Sequence, residues 1–344
     1  MESLISMAWT LAEIGSEWDN RWDALAAACR YSGFMQSSAW AAFKRAEGYC
    51  TPRFGLFDGD TLVGGASLLT FPSASSEGMI LCADGPVLPW DDYAASREGL
   101  RLLIASVEEI AEQSGGLGWR IEPRVGLPRP MVLKNWKRAP VDLNPAHSLV
   151  IDLRLPPDQI LAAMHPKGRY NIRVAARHGV RAVRSNAMQD LRRFYSLFAE
   201  TALRNGFFAE PFGFFINLVT NLFPAGMAEL CFAELGSETL AASLVIYYGQ
   251  RATYLYGGSS SRYRNCMPTY QMHWCAIQSA QQRGCLEYDM YGFDPFEQPD
   301  HPYAGFSRFK KQFGGSRFDA IGAHDLIFYD RLADQLAARL RQST

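Results

Sequence analysis

Several things that would place this 344-residue chain in a well-marked class are missing from it. There is no C-x-x-C pair. The seven cysteines, Cys29, Cys50, Cys82, Cys231, Cys266, Cys275 and Cys285, are odd in number and dispersed, which argues against a disulfide framework or a zinc site and suits reduced thiols in a cytoplasmic protein. The six histidines, His147, His165, His178, His273, His301 and His324, are scattered, which disfavours a catalytic triad. Nucleophile elbow, Walker loop, Rossmann glycine fingerprint and metal-ligand spacing are all absent, so neither cofactor nor metal is expected. No window approaches the ~18 consecutive apolar residues of a bilayer span, so no transmembrane segment is expected and a membrane-bound substrate would be met only from the membrane surface. The opening MESLISMAWTLAEIGSEWD carries Glu2, Glu13, Glu17 and Asp19 and no basic stretch, unlike a signal peptide. A field of one sign is lacking too: 34 Lys and Arg stand against 35 Asp and Glu, for a net charge of −1. A polyanion would therefore have to be held by a local basic patch.

What is present is an ordinary globular composition, 48% hydrophobic and 20% charged, in a chain long enough for two domains. The order of predicted elements occurs twice. In the first half FGLFDGDTLVGGASLLTF reads as a hairpin turning at Asp58-Gly59-Asp60. A strand near Met79 to Cys82, a helix from about Ser96 to Gln113 and the strand WRIEP, ending in Glu122, follow. In the second half AELCFAELGSETLAASLVIYY turns at Gly236-Ser237. TYLYGG, a helix from about Thr269 to Arg283, and CLEYDMYG follow, the last holding Asp289 where the first copy has Glu122. This duplication predicts an α/β protein of mixed α+β sheets, two tandem acyltransferase-type units over 1–145 and 146–344, joined near Pro140 to Ser148, with the chemistry in the cleft where they meet.

Two basic clusters stand out. HPKGRYNIRVAARHGV predicts a helix with Arg169, Arg173 and Arg177 along one face and Gly179 as its stop. From Lys167 to Arg193, eight basic residues meet one acid, Asp190. Unmixed positive charge suits phosphate, since each guanidinium can donate two parallel hydrogen bonds to it. In the second cluster, GFSRFKKQFGGSRF, Arg308, Lys310, Lys311 and Arg317 lie between aromatics, and Lys310 is the candidate to meet an anionic group. Asp289 and Glu122 are candidate general bases, as a strand-end carboxylate can be tuned by burial. Gln113 to Gly118 fits Q-x-x-G-x-G, an acyl-CoA pyrophosphate loop, but follows a helix instead of opening one and reads as a connection.

Taken together, FMQSSAWAAFK, ADGPVLP, WRIEP, MHPKGRYNIRVAARHGV, FAETALRNGFF, YLYGGSSSRYRNCMPTYQMHW, YDMYGFDP and GFSRFKKQFGG resemble the FemAB/FemX family of aminoacyl-tRNA-dependent peptidoglycan transferases. The resemblance implies a tandem GNAT-like fold without a coiled-coil arm. It implies aminoacyl-tRNA as co-substrate, no DNA, a UDP-linked or lipid-linked muropeptide as acceptor, and at most peripheral contact with the inner membrane surface. By the same resemblance Lys44 and Arg204 would grip the precursor's diphosphate, and Tyr256 and Phe309 would shape the cleft. Lys310 would sit near the tRNA terminus and the developing oxyanion, with Lys167, Arg169, Arg173, Arg177 and Lys311 on the tRNA. The acid of WRIEP departs from the family's Asp-Pro, and Phe208 lacks a hydroxyl where a tyrosine could have bound the precursor. Asp289, Glu122 or a substrate carboxylate could accept the amine proton. An acylation of a small amine outside cell-wall synthesis, from tRNA or acyl-CoA, and a binding protein without catalysis are the rival readings.

Overall fold

A computed structural model describes residues 9–71, 78–296 and 304–329, and the chain divides into two compact units. One holds the residues up to Asn144 and takes the chain back from Ala320; the other is Pro145–Asp319. His301, in the sequence reading, lies outside the described residues.

In the first unit, β1 (Thr10–Glu13) is followed by α1 (Asp19–Ala28) and by α2 (Ser38–Ala46), whose first turn is capped by the Ser37 hydroxyl accepting from the Trp40 amide. The hairpin of β2 (Arg53–Asp58) and β3 (Thr61–Ser67) pairs with β1 in an antiparallel sheet. Gly59, at φ +58°, supplies the left-handed residue its turn needs. Next, β4 (Met79–Ala83) and β5 (Gly118–Glu122) lie parallel, linked by α3 (Tyr93–Ser114). Asp92 caps α3 and left-handed Gly115 ends it. Leu100, Leu103, Val107 and Ala111 recur at helical spacing and join Leu56, Trp119 and Ile121 in the core. The Gln113 to Gly118 stretch thus closes a helix and enters a strand, as its context in the sequence predicts.

The expectation that the second domain runs to residue 344 is corrected for the described residues from 320 on. β14 (His324–Ile327) inserts between β5 and the short β6 (Lys137–Arg138), antiparallel to both. Arg120 clamps Asp325 with two hydrogen bonds of 2.7 and 2.8 Å, and Ile321 enters the first core. A closing strand satisfied by a distant sheet has no local signature.

The second unit is built on seven strands in the order β13-β7-β12-β11-β10-β9-β8: β7 (His147–Asp152), β8 (Arg181–Ser185), β9 (Ala228–Leu235), β10 (Glu238–Tyr248), β11 (Arg251–Ser259), β12 (Glu287–Gly292) and β13 (Ser316–Asp319). The helices are α4 (Pro157–Ala163), α5 (Pro166–Arg177), α6 (Leu191–Asn205), α7 (Phe212–Leu222), α8 (Pro268–Gln282) and α9 (Ala304–Lys310). Residues 240–247 of β10 are buried without interruption, as a central strand covered on both faces should be.

The order β10, β11, α8, β12 repeats β3, β4, α3, β5, and again the strands flanking the helix are parallel. One difference opens the second copy. β4 and β5 stay paired over five positions, Met79–Gly118 to Ala83–Glu122, whereas β11 and β12 pair only from Arg251–Glu287 to Thr253–Asp289. Past that point β11 continues to Ser259, and the two strands part.

Candidate functional site

A cavity of about 980 Å³ opens in the second unit where β11 leaves β12. Ligand sites favour such places, beyond the carboxyl ends of parallel strands that diverge. Tyr254, Gly257, Gly258 and Ser259 of β11 form one wall, and Met267 to Thr269 at the start of α8, with Tyr270 and His273, form another. Phe309 and Lys310 of α9 and Arg204 of α6 complete the polar and aromatic lining. Among the described lining residues there is no Asp or Glu.

Local rules explain these positions. In the β10–β11 ladder Leu244 faces Tyr256 while Val245 faces Tyr254, so Leu255 is an extra residue, a bulge. A bulge breaks the two-residue alternation and sends Tyr254 and Tyr256 to different environments. Tyr254 lines the cavity. Tyr256 packs edge-on against Phe198 and Phe215, at ring centroid distances of 5.7 and 5.1 Å. Tyr254, two residues before the tyrosine that the resemblance names for the cleft, is the one that lines this cavity. A side chain at Gly257 would overlap the Tyr254 hydroxyl, and one at Gly258 would overlap the Leu197 backbone of α6. Gly258 is required for that close approach to the backbone of α6.

Lys310, the last residue of α9, is 8% exposed. Its Nζ donates 2.6 Å to the Gly292 carbonyl and stands 5.6 Å from the Tyr254 ring centre. Burial pushes its pKa from 10.5 down to about 8, against the pull of Asp289. Asp289 is 2% exposed and accepts from the Tyr291 amide at 2.7 Å. It does not line the cavity. The Gly292 carbonyl at the end of β12 thus positions the lysine. Phe309 packs on Tyr270, His273 and Phe313, and burial raises the Tyr254 phenol to about 12.

Arg204 donates to the Ser259 carbonyl at 2.8 Å and to the Ser261 hydroxyl at 3.1 Å, so its guanidinium is fixed at the rim by β11 and the turn beyond. His273 was one of the scattered histidines of the sequence and carried no signal. It is 1% exposed, lines the cavity and meets Tyr254 edge-on at 4.5 Å.

Other candidates lie elsewhere. Glu122 is in the first unit and is buried; its carboxylate accepts from the Leu143 amide at 3.1 Å and the Asn144 amide at 2.7 Å. Burial raises its pKa to about 8, opposed by those amides. Those contacts make it a tie for the backbone of residues 143–144. Lys44, also in the first unit, lies in the last turn of α2 with its Nζ over the Phe43 and Tyr49 rings at 4.9 and 5.2 Å. On α5, capped by His165 and stopped by left-handed Gly179, Lys167, Arg173 and Arg177 are exposed. Arg177 lies over Tyr170, 5.7 Å from its centre. Arg169 differs from them. It is half-buried and donates to the carbonyls of Ala162, at 2.8 Å, and Met164, closing the end of α4. Its helical spacing with Arg173 and Arg177 does not reveal that use. Lys311 is half-buried, 5.8 Å from the Phe293 ring centre.

Similarity to known proteins agrees with this architecture. The FemAB family model matches residues 19–129, 137–239 and 236–330. The lipid II:glycine glycyltransferase of Staphylococcus saprophyticus subsp. saprophyticus is 22% identical over 90% of this chain and 91% of that protein. Its counterpart from Staphylococcus aureus is 22% identical over 90% and 92%. Among solved structures, FemX superposes with a TM-score of 0.85 at 20% identity, covering 95% of this chain and 99% of that one. A tandem GNAT protein from the clavulanic acid biosynthesis pathway gives 0.55 at 12% identity over 93% and 98%. The fold is tandem GNAT-like, and with the family model running through both units the chain belongs to the FemAB family and is a transferase.

Proposed function

We propose that this transferase moves an amino acid from aminoacyl-tRNA to an amine of a peptidoglycan precursor peptide, lipid-linked or UDP-linked, and so builds interpeptide bridges at the cytoplasmic face of the membrane. The observation that carries the reading is Lys310, a buried cation facing a cavity whose described lining has no carboxylate to neutralise it, within a chain of the FemAB family. The curated relatives named as lipid II:glycine glycyltransferases support the acceptor class.

An aminoacyl ester is already activated. Attack by an amine forms the C–N bond and places negative charge on the former carbonyl oxygen. Lys310 stabilises that charge, a contribution of roughly 3–4 kcal/mol for one such donor. Collapse of the intermediate then breaks the ester bond to the ribose, which leaves with a proton. The charge of Asp289 favours the protonated form of Lys310, against burial. Glu122, engaged by two backbone amides, is not assigned to the reaction. The amine proton therefore passes to a substrate carboxylate or to water. Arg204 serves the precursor's diphosphate. Lys167, Arg173, Arg177 and Lys311 serve the tRNA backbone, and Arg169 supports the helix that carries them.

The test is incubation of the protein with a pool of charged tRNAs and UDP-muramyl pentapeptide, followed by mass analysis of the peptide. A mass increase of one amino acid residue is expected. Acylation from acyl-CoA with none from charged tRNA would overturn the reading.

A further inference from the structure

Two large apolar side chains of the first unit stand in water on a loop that packs with other residues. Leu127 and Met131 are 63% and 69% exposed. Leu133 and Trp136 of the same loop are buried in the first core, and Trp136 meets Trp119 edge-on at 5.5 Å. The loop is compact. The Lys134 amide donates to the Met131 carbonyl at 3.1 Å and the Trp136 amide to the Leu133 carbonyl at 2.9 Å. The Arg129 guanidinium joins its two ends, donating to the Trp136 carbonyl at 3.2 Å, and Pro128 and Pro130 restrict its backbone. A lone exposed apolar residue needs no explanation, but two on one fixed loop do.

The charge around them is of one sign. Between Glu122 and Asp142 the chain has five basic residues, Arg124, Arg129, Lys134, Lys137 and Arg138, and no acid, in a protein of net charge −1. Arg138 is spent on Asp142, at 2.6 Å, and on the Ala323 carbonyl. Lys134 and Lys137 are exposed, and among the described residues neither has an ion-pair partner. Lys137 is on β6, an edge strand, where a lysine discourages pairing with another chain. That use explains neither Lys134 nor the two apolar side chains.

Phosphates of an RNA or of a bilayer would both attract these cations, and Leu127 and Met131 decide between them. RNA-binding surfaces set aromatic rings between their cations so that bases can stack. Aliphatic side chains gain instead at a bilayer, entering the acyl boundary while neighbouring cations stay with the anionic headgroups. We propose that the loop from Leu127 to Lys137 docks the protein on an anionic lipid surface, with Leu127 and Met131 inserted and Arg129, Lys134 and Lys137 on the headgroups. The loop's compact backbone means that little order is lost on docking. This adds a surface to the functional reading, and of that reading's two acceptors it fits the lipid-linked one.

The test mixes the full-length protein with vesicles of phosphatidylcholine, or of phosphatidylcholine with phosphatidylglycerol, and measures the bound fraction by sedimentation. Wild type should bind the anionic vesicles more tightly than the neutral ones and lose affinity as salt is raised. Leu127→Ser with Met131→Ser should weaken anionic-vesicle binding by roughly tenfold or more. Lys134→Gln with Lys137→Gln should do the same and flatten the salt dependence, while Lys134→Arg with Lys137→Arg binds as wild type. Arg173→Glu with Arg177→Glu on α5 should bind vesicles as wild type. Wild type that does not distinguish the two vesicles, loop variants that bind like wild type, or a glutamine pair that weakens labelled tRNA more than vesicles would each overturn the proposal. Vesicle binding is read without turnover, so the two readings fail separately. Loop-dependent binding by a protein that transfers nothing from charged tRNA leaves the inference standing and sinks the functional reading, and transfer without loop-dependent binding does the reverse.

Discussion

The lowered pKa of Lys310 makes a prediction that can be worked through. With a pKa near 8, about nine in ten Lys310 side chains are protonated at pH 7 and about one in ten at pH 9. Oxyanion stabilisation needs the charged form, and the attacking amine must be unprotonated, so the pH-rate profile should be bell-shaped with its descending limb near pH 8. Between pH 7 and pH 9 the lysine alone should cost about tenfold in rate. Lys310→Arg, whose guanidinium stays charged above pH 12, should move the limb beyond the accessible range even if its maximum is lower. Lys310→Ala should lose about 10²–10³ in kcat and the limb with it. Asp289→Asn removes the charge that holds the lysine's pKa up, so the limb should move to lower pH. The assay is single-turnover transfer from a charged RNA helix at saturating acceptor between pH 6 and 10. A wild-type rate that climbs steadily to pH 10, or a Lys310→Arg profile with its limb still at 8, would refute the reasoning.

Other expectations follow from the same contacts. Because the folded-state pKa of Lys310 lies below its unfolded value of 10.5, the unfolded chain binds more protons between pH 8 and 10.5, and stability should rise with pH there. Relative to Lys310→Met, denaturant melts should show the wild type gaining up to about 3 kcal/mol across that window. Glu122→Ala should lower stability by about 1–3 kcal/mol, through two amides left without acceptors, and change kcat by less than about threefold. Arg173→Glu with Arg177→Glu should raise the KM for full-length charged tRNA and flatten its salt dependence by about one power of salt per lost phosphate contact, while a terminal aminoacyl-adenosine donor is used as before. Gly258→Ala should cost about 1–3 kcal/mol in a thermal or denaturant melt, because the new methyl group meets the Leu197 carbonyl.

Much of this protein is local, and that part was legible. The hairpins turning at Gly59 and Gly236, the helices stopped by Gly115 and Gly179, and the two parallel strand pairs spanned by α3 and α8 follow from turn chemistry and hydrophobic period, which act over a few residues. The residue pattern singled out Lys310, and the family resemblance Phe309 and Arg204, all of which reach one cavity. It could not sort the rest, because their roles depend on neighbours far along the chain. Arg169, Arg173 and Arg177 share a helical spacing, yet the first is spent on α4. Tyr254 and Tyr256 look equivalent until a single bulged residue separates them. Glu122 and Asp289 stand in the last pair of their parallel ladders, yet one binds the backbone of residues 143–144 and the other acts on the charge of Lys310. His273 had no signal at all, since a buried histidine matters only through what encloses it. Element type is set by short-range backbone preference; the site is set by which distant side chains the parting of β11 from β12 leaves facing one space.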